Sequence, residues 1–485
     1  MKLTDESLDY EPLRRTPGSK SATADTEDTE FHFKKSAKAK AVADDLDGNG
    51  VSAKREKDAQ IESAPREEKP ELQETWIHKH GHSVSYAGIF VFTALVFFRP
   101  YELSPSLMWL SSSAFWVALA TVVVFLLTQL GLENTLTARP REVNLILLLT
   151  LTGVLSIPLA LEPGRAFDSF IQFFKVVLIF IVMVNVMRTE KRMKRLWILV
   201  LIATCILSVN AINDYRLGRL ALQGERIKGS IGGLFDNPND LALHLVTMIP
   251  IALAFFFTSR NSLTKILLLV TTLLTVGGLV STFSRGGFLA FLAVLGVLVW
   301  KLARRSRWLV PVVAAPLVIA FLLFAPGGYR SRLATTGDES SMARFDDLKR
   351  SLFIAARHPL LGVGMDNYIL FSNSNKASHN SYTQVASEMG AAAAVLYILF
   401  ILAPFKGLRR IERQSYEVKA ARRFFYTSVA LQASLVGYMV ASFFASVAYL
   451  WYIYYLVAYS ICLRRIYDSA LERDGEQLLN PGSDR

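Results

Sequence analysis

The sequence predicts an all-α polytopic membrane protein with about twelve transmembrane helices and one large periplasmic loop that contains short helices. Of its 485 residues, 52% are hydrophobic, and its mean hydropathy of +0.32 is rarely reached by a soluble protein of this length. Apolar segments of about 17–22 residues recur after residue 80, and helices of this length cross the hydrocarbon layer. Charged residues fall mainly between these segments, whereas barrel strands would be shorter and alternating.

The chain begins with a polar segment. Residues 1–80 are rich in Lys, Glu, Asp, Ser and Ala, and they bury too little apolar surface to offset their ordering entropy. We therefore expect a disordered, charged cytosolic tail, and no signal peptide, because an early apolar core is absent. The stretch from Asp45 to Glu56 has the spacing of a calcium-binding loop. Ser52 replaces the usual apolar residue of such loops, so a chance match is the favoured interpretation.

The distribution of cations predicts the topology. The predicted spans cover residues 82–98, 111–131, 143–161, 169–187, 196–212, 239–257, 264–282, 286–301, 308–325, 387–403, 424–445 and 447–463. This number of spans places both termini on one side, together with the Lys- and Arg-rich loops 188–195, 301–307 and 404–423. The positive-inside rule assigns that side to the cytoplasm.

This topology divides the chain into tails, spans and one loop. Spans 1–9 lie within 81–325, the periplasmic loop is 326–386, spans 10–12 lie within 387–463, and 464–485 form a second cytosolic tail. The net charge of +12 does not indicate nucleic acid as a partner, because the cations follow the positive-inside pattern. The two cysteines, Cys205 and Cys462, lie in predicted spans and show no disulfide or metal-binding spacing.

Cations also occur on the predicted outer side, where they oppose the insertion bias. They are Arg216, Arg219, Arg226 and Lys228 in loop 213–238, and Arg330, Arg332, Arg344, Lys349, Arg350, Arg357 and Lys376 in the periplasmic loop. Nearby acids such as Asp214 and Asp346, together with lipid headgroups, could neutralise them. A phosphate-bearing ligand at the outer surface is the functional alternative, and the sequence leaves both open.

Two predicted helix starts on the outer side carry residues suited to an anion. Asn237-Pro238-Asn239-Asp240 precedes one span, and we expect Asn239 or Asp240 to cap that helix, with or without a ligand at its N–H groups. Ser284-Arg285-Gly286-Gly287 forms a tight turn between two spans. The Arg285 guanidinium could bind phosphate in a bidentate manner there, or it could extend to the headgroups.

The periplasmic loop ends in His379-Asn380-Ser381-Tyr382, followed by Glu388-Met389-Gly390. A neutral imidazole such as that of His379 can accept a proton from a hydroxyl near neutral pH, although a lone histidine is more often structural. His358, which precedes a proline, is expected to be a turn residue. Residues 341–356 predict a surface helix with an apolar face.

Other polar residues are ambiguous or uninformative. Lys175 and Gln172 lie inside a predicted span, where they either line a cavity or hydrogen-bond internally. Asp346 and Asp347 are adjacent on a predicted helix and therefore point in different directions. We expect no metal site on the outer side and no cofactor, so arginines would have to neutralise a leaving phosphate.

Taken in order, the Asn237, Arg285 and His379 motifs, together with Pro359-Leu360-Leu361-Gly362-Val363-Gly364 and Glu388-Met389-Gly390, resemble the O-antigen ligase and polymerase family. The resemblance covers residues 85–463 and is strongest at 225–400. It implies a multi-pass protein of the bacterial inner membrane with both termini cytoplasmic. It also implies GT-C-type, inverting glycosyl transfer from an undecaprenyl-pyrophosphate-linked glycan to the hydroxyl of a lipid-linked core, a glycan or a protein.

The resemblance also implies roles for individual residues. His379 matches the proposed base and Arg285 the pyrophosphate-binding arginine, while a second arginine is best matched by Arg226, with Arg219 and Arg216 as competitors. We expect substrate contacts from Arg226, Arg219, Asn237, Asn239, Asn380, Tyr382 and Lys175. The alternatives are a repeat-unit polymerase of the same family, a transporter or flippase for lipid-linked sugars, and a non-enzymatic assembly protein that binds a partner through its loop.

Overall fold

The fold is known from a computed structural model, which describes residues 76–99, 101, 105–133, 135–219, 227, 235, 237–324, 339–372, 377–416, 418 and 421–479. Most of the predicted disordered tail lies outside this part of the chain. Its calcium-loop match lies wholly outside it. The described elements are all helical: α1 (Trp76–Phe98), α2 (Ser113–Glu133), α3 (Arg141–Ser156), α4 (Pro163–Val186), α5 (Glu190–Arg216), α6 (Pro238–Thr258), α7 (Ser262–Ser281), α8 (Arg285–Arg305), α9 (Leu309–Phe324), α10 (Glu339–Arg357), α11 (Ser381–Gln414), α12 (Arg422–Ala441) and α13 (Trp451–Leu479). Short 3₁₀ helices occur at Pro105–Leu110, Tyr368–Phe371 and Ser442–Phe444.

Each predicted apolar segment is occupied by a helix. In the described part of the chain, eight helices are long and apolar enough to cross a membrane, judged by length and composition. They belong to α2, α4, α5, α6, α7, α8, α11 and α12, and shorter apolar helices lie within α1 and α9. The described part of the chain is therefore all helical, and the chain is a multi-pass membrane protein. The count of twelve spans and the periplasmic position of the loop stay predictions.

Helix α6 lies at the centre of the packing. Its residues from Leu241 to Leu253 are all buried, in contact with α7, α8 and α12. Small residues allow this close approach: a Cβ atom added to Gly287 of α8 would lie 2.7 Å from the Cβ of Ala242 in α6. Helices in membranes associate through such small residues, because apolar side chains gain little by leaving lipid. The packing fixes the start of α8 beside the start of α6.

Buried ion pairs join helices at the opposite end of the bundle. Glu142 at the start of α3 accepts two hydrogen bonds from Arg464 of α13, at 2.9 and 3.1 Å. Lys301 of α8 lies 2.5 Å from Glu412 of α11. A buried charge is costly unless it is paired, so these contacts hold the ends of distant helices in register.

Helix α11 is broken at Gly390, whose φ of +88° is left-handed. The segment Pro359–Gly364 fits against this break: Val363 N donates to Ser387 O and Gly364 N to Glu388 O, both at 2.9 Å, and Ala391 N donates to Pro359 O at 2.7 Å. These hydrogen bonds provide partners for the backbone groups that lack helical partners at the break. The glycine-rich loop and the Glu388-Met389-Gly390 motif thus form one unit that anchors the first turns of α11.

Candidate functional site

The N-termini of α6 and α8 are each capped by a side chain and are joined to each other by a side-chain hydrogen bond. Asn237 caps α6, where its Oδ1 accepts from Asn239 N at 2.9 Å. Ser284 caps α8 by accepting from Gly287 N at 3.1 Å, and its hydroxyl donates to Asn239 Oδ1 at 2.8 Å. The prediction that Asn239 or Asp240 caps α6 was therefore wrong. Pro238 takes the first helical position, for which its fixed φ is suited, and so the cap falls on Asn237.

Two of the helix starts share an unusual backbone conformation. Phe283 and His379 have φ values of +54° and +53°, and each directly precedes a capping residue. After His379, Asn380 caps α11 by accepting from Tyr382 N and Thr383 N at 2.9 and 3.1 Å. A left-handed conformation costs a non-glycine residue about 1–3 kcal/mol and persists only where the surroundings impose it. The His379 backbone is therefore held in place by the cap that follows it.

Arg285 and His379 line the same cavity, which has a volume of about 300 Å³ and which we call the arginine–histidine cavity. It is enclosed by the start of α8, one face of α10, the segment before α11 and the 3₁₀ helix Ser442–Phe444. Its lining residues are Arg285, Leu289, Arg344, Phe345, Leu348, Ser378, His379, Asn380, Phe443 and Phe444. The structure thus brings together the two residues for which the sequence predicts catalytic roles.

The lining of this cavity is positively charged. Arg285 and Arg344 contribute two guanidinium groups, and the described lining includes no carboxylate. Arg285 is also the first residue of α8, where the helix dipole favours an anion. An arginine fork suits a phosphate group, and the imidazole adds a group that can accept a proton. The arrangement can therefore hold an anion next to a base.

Close packing positions Phe444 in this cavity. A Cβ atom added to Gly286 would lie 2.7 Å from the Cβ of Phe444, so only glycine fits there without displacing the ring. The glycine after Arg285 therefore lets the 3₁₀ helix Ser442–Phe444 reach the start of α8. This role explains one glycine of the Ser284–Gly287 motif by a contact with a neighbouring element.

Several residues expected to bind substrate lie elsewhere or are engaged in other contacts. Arg219 is exposed, and its Nη1 lies 3.7 Å from a carboxylate oxygen of Asp214. Arg226 lies outside the described residues. Tyr382 does not line the arginine–histidine cavity, and its hydroxyl donates to Met439 O at 2.9 Å. Asn237 caps α6 and Asn239 joins the starts of α6 and α8, and of the predicted amides only Asn380 lines the described cavity.

Lys175 lies apart from the arginine–histidine cavity. Its Nζ donates to Gln172 Oε1 at 3.2 Å and lies 5.8 Å from the centre of the Phe115 ring. It also lines an apolar cavity of about 320 Å³ between α1, α2, α4 and α13. Lys175 therefore both lines a cavity and hydrogen-bonds internally, which are the two alternatives that the sequence left open. Neither role brings it to Arg285 or His379.

Arg344 is the charged residue of this cavity that sequence reasoning missed. It lies on α10, the surface helix predicted at 341–356, and precedes Leu348 by four residues, so both share one face. Contacts at the far face hold the helix: the Tyr368 hydroxyl donates to Asp347 O at 3.1 Å, and Arg350 Nη1 donates to Phe371 O at 2.6 Å. Burial, and next the charge of Asp347, raise the pKa of Tyr368, so its hydroxyl remains a donor.

No group of three or more His, Cys, Asp or Glu side chains is arranged to hold a metal ion in the described ranges.

Comparison with known protein families finds that residues 270–398 match the family described as O-antigen ligase. The matched segment includes Arg285, Arg344 and His379, and it extends through the break in α11. No curated protein sequence gives a significant match to the chain.

Proposed function

From the match of residues 270–398 to the O-antigen ligase family, we propose that the protein is an inverting glycosyltransferase of the bacterial inner membrane. It transfers a glycan from undecaprenyl pyrophosphate to an acceptor hydroxyl at the periplasmic face. The observation that carries the proposal is the shared cavity of Arg285 and His379, because transfer needs an anion-binding group and a base within reach of one substrate.

In the proposed step, His379 accepts the proton of the acceptor hydroxyl through a ring nitrogen. The hydroxyl oxygen forms a bond to the anomeric carbon of the donor from the face opposite the pyrophosphate. The bond between the anomeric carbon and the pyrophosphate oxygen breaks, and its electron pair remains on that oxygen. The configuration at the anomeric carbon is inverted, and the proton on the imidazole passes to the solvent or to the departing pyrophosphate.

The arginines have the role of stabilising the charge that develops on the leaving group. Arg285 binds the pyrophosphate through both arms of its guanidinium, and Arg344 faces the same cavity from α10. The start of α8 adds the partial positive charge of a helix N-terminus. Pyrophosphate stabilised in this way leaves without a general acid, and the proposed reaction is metal-independent.

The acceptor decides between a ligase and a polymerase. A ligase transfers the glycan to a lipid-linked core or a protein, whereas a polymerase of the same family transfers it to another repeat unit. The cavity binds the donor diphosphate and activates a hydroxyl in either case. A transporter or flippase for lipid-linked sugars uses the same donor but requires no base.

The test replaces His379 by alanine and measures glycan transfer in vitro from a defined lipid-pyrophosphate donor. Loss of the base is expected to lower the rate by about 10²–10⁴-fold. The matched control is His358→Ala, since His358 is an exposed histidine of the same loop and does not line the cavity. It should retain the rate of the wild-type protein.

Full activity of purified His379→Ala would remove the base assignment, whereas absence of transfer by the wild-type protein would favour transport or assembly over chemistry. The same assay is run with a chelator. Unchanged transfer is expected, and loss of transfer that added divalent cation restores would overturn the metal-independent mechanism.

A further inference from the structure

A second cavity, of about 620 Å³, lies beside the first turns of α11 on the same side as the arginine–histidine cavity. The start of α4, the loop residue Asp366, α11 and the segment before α13 enclose it. Its volume is about twice that of the arginine–histidine cavity and falls in the roughly 300–1,000 Å³ range of small-molecule sites. We call it the acidic cavity.

The acidic cavity has the opposite charge to its neighbour. Its lining includes the carboxylates of Glu162, Asp168 and Asp366 and the guanidinium of Arg165. Arg165 pairs with Glu162 at 3.0 Å and with Asp366 at 3.5 Å, so carboxylate charge is in excess. This lining repels a phosphate or pyrophosphate group and suits a ligand that is uncharged or carries amino groups.

A buried polar atom in the lining of the cavity indicates a ligand. Gln384 is 7% exposed, and its Oε1 receives no hydrogen bond from the described residues. A buried acceptor without a partner is unfavourable, so a ligand that donates a hydrogen bond to it gains affinity.

The remaining lining combines hydroxyl groups with aromatic rings. Ser169 and Ser446 provide hydroxyls, Gln172 provides an amide, and Phe173 and Tyr449 lie with their ring centres 5.7 Å apart. Dense hydroxyl, amide and carboxylate groups beside an aromatic surface match a saccharide, which presents many hydroxyls around an apolar ring face.

The two cavities adjoin each other. Ser378 lines the arginine–histidine cavity, Ser446 lines the acidic cavity, and their hydroxyl oxygens lie 3.4 Å apart. Gln384 follows Asn380 by one turn of α11, with its N–H donating to Asn380 O at 2.9 Å. A saccharide in the acidic cavity therefore lies next to the residue that precedes His379.

We propose that the acidic cavity binds the saccharide of the acceptor, in an uncharged or amino-bearing form, and presents its hydroxyl toward His379. This inference rests on the proposed function, which supplies the donor at the arginine–histidine cavity. The saccharide of the donor has the same ligand chemistry, and the experiment below separates the two sources.

Saccharide binding is tested first, without any glycosyl transfer. Saturation-transfer NMR on the full-length protein in nanodiscs uses maltose and chitobiose as probes, with inositol hexaphosphate as an anionic probe. The neutral disaccharides are expected to bind both the wild-type protein and His379→Ala. Binding should weaken by about tenfold or more in Asp168→Ala, Gln384→Ala and the cavity-filling variant Ser169→Tyr. Glu472→Ala, which removes an exposed carboxylate outside both cavities, should bind as the wild type does.

Equal binding to the wild type and all three cavity variants, or binding of the anionic probe alone, overturns the saccharide site. Asp168 is exposed and Ser169 is half-buried, so these variants keep the test decisive if Gln384→Ala fails to fold. A wild-type protein that binds the saccharides but transfers no glycan would overturn the proposed reaction and leave the saccharide site intact.

Transfer kinetics then distinguish the acceptor from the donor. The KM for the acceptor is expected to rise by about tenfold in Asp168→Ala, with the KM for the donor unchanged. A rise in the donor KM with an unchanged acceptor KM would show that the cavity holds the donor glycan and would overturn the acceptor assignment.

Discussion

At the scale of single residues, the position of Arg285 combines three independent features that favour an anion. It is the first residue of α8, it faces a cavity shared with a second arginine and a histidine, and glycines follow it. The same glycines permit close contacts with Ala242 of α6 and with Phe444, which lines the cavity. The sequence motif and the packing therefore both favour an anion-binding role for Arg285.

Arg285→Lys should lower glycan transfer by about 10²–10³-fold, because an ammonium group cannot reproduce the two parallel hydrogen bonds of the guanidinium. Initial rates at saturating acceptor measure the loss. Arg357→Lys is the matched control, since Arg357 is exposed on α10, stacks on Phe353 and lies outside the cavity. Normal donor affinity and rate in Arg285→Lys would contradict the pyrophosphate role.

Short motifs predicted Arg285 and His379, but not their neighbours. Arg344 was visible only as one of many outer cations, since its position across the cavity from the start of α8 depends on long-range packing. Phe443 and Phe444 lie at the end of a predicted apolar span, where two more aromatic residues do not indicate a cavity. Asn239 and Tyr382 were predicted to contact substrate, but both form hydrogen bonds between elements of the fold. The same residue types serve both roles, so the sequence alone does not distinguish them.

At the scale of elements, the break in α11 is the feature that fixes the site. Pro359–Gly364 bonds to the carbonyls of Ser387 and Glu388, and this contact holds the short first part of α11 that begins just after His379. The sequence predicted a turn at His358, directly before this segment. That its partner is an interrupted helix could not be predicted, because hydropathy shows one continuous apolar run there.

Gly390→Ala should destabilise the protein by at least about 1–2 kcal/mol, since a left-handed alanine is strained and its Cβ would lie 2.3 Å from Leu360 O. Thermal denaturation in detergent, followed by size-exclusion chromatography, measures the change. Gly296→Ala is the control: Gly296 lies within α8 and has open space around it, so alanine should be neutral or slightly stabilising. Equal stability of the two variants would show that the break in α11 imposes no strain.

At the scale of the whole molecule, the helical, multi-pass class followed from the sequence because apolar length is the strongest constraint on a membrane protein. The helix positions also followed, to within a few residues for most segments. The longest departure is α13, which continues to Leu479 although the apolar run ends near residue 463. The orientation in the membrane is predicted from the cations of the loops, and apolar length gives no information about it.

Cysteine labelling tests that orientation. In a background with Cys205→Ser and Cys462→Ser, the variants His358→Cys and Glu472→Cys each place one thiol at an exposed position. A membrane-impermeant maleimide added to cells with a permeabilised outer membrane should label His358→Cys, and should label Glu472→Cys only after lysis. The reverse pattern would place the arginine–histidine cavity on the cytoplasmic side.

A cryo-EM structure of the full-length protein with undecaprenyl pyrophosphate tests the central claim most directly. The diphosphate is expected between Arg285 and His379, with its oxygens about 2.7–2.9 Å from the Arg285 guanidinium and the vacated sugar position beside the imidazole. A diphosphate bound outside this cavity, or contacting Arg285 with His379 turned away from the sugar position, would contradict the account.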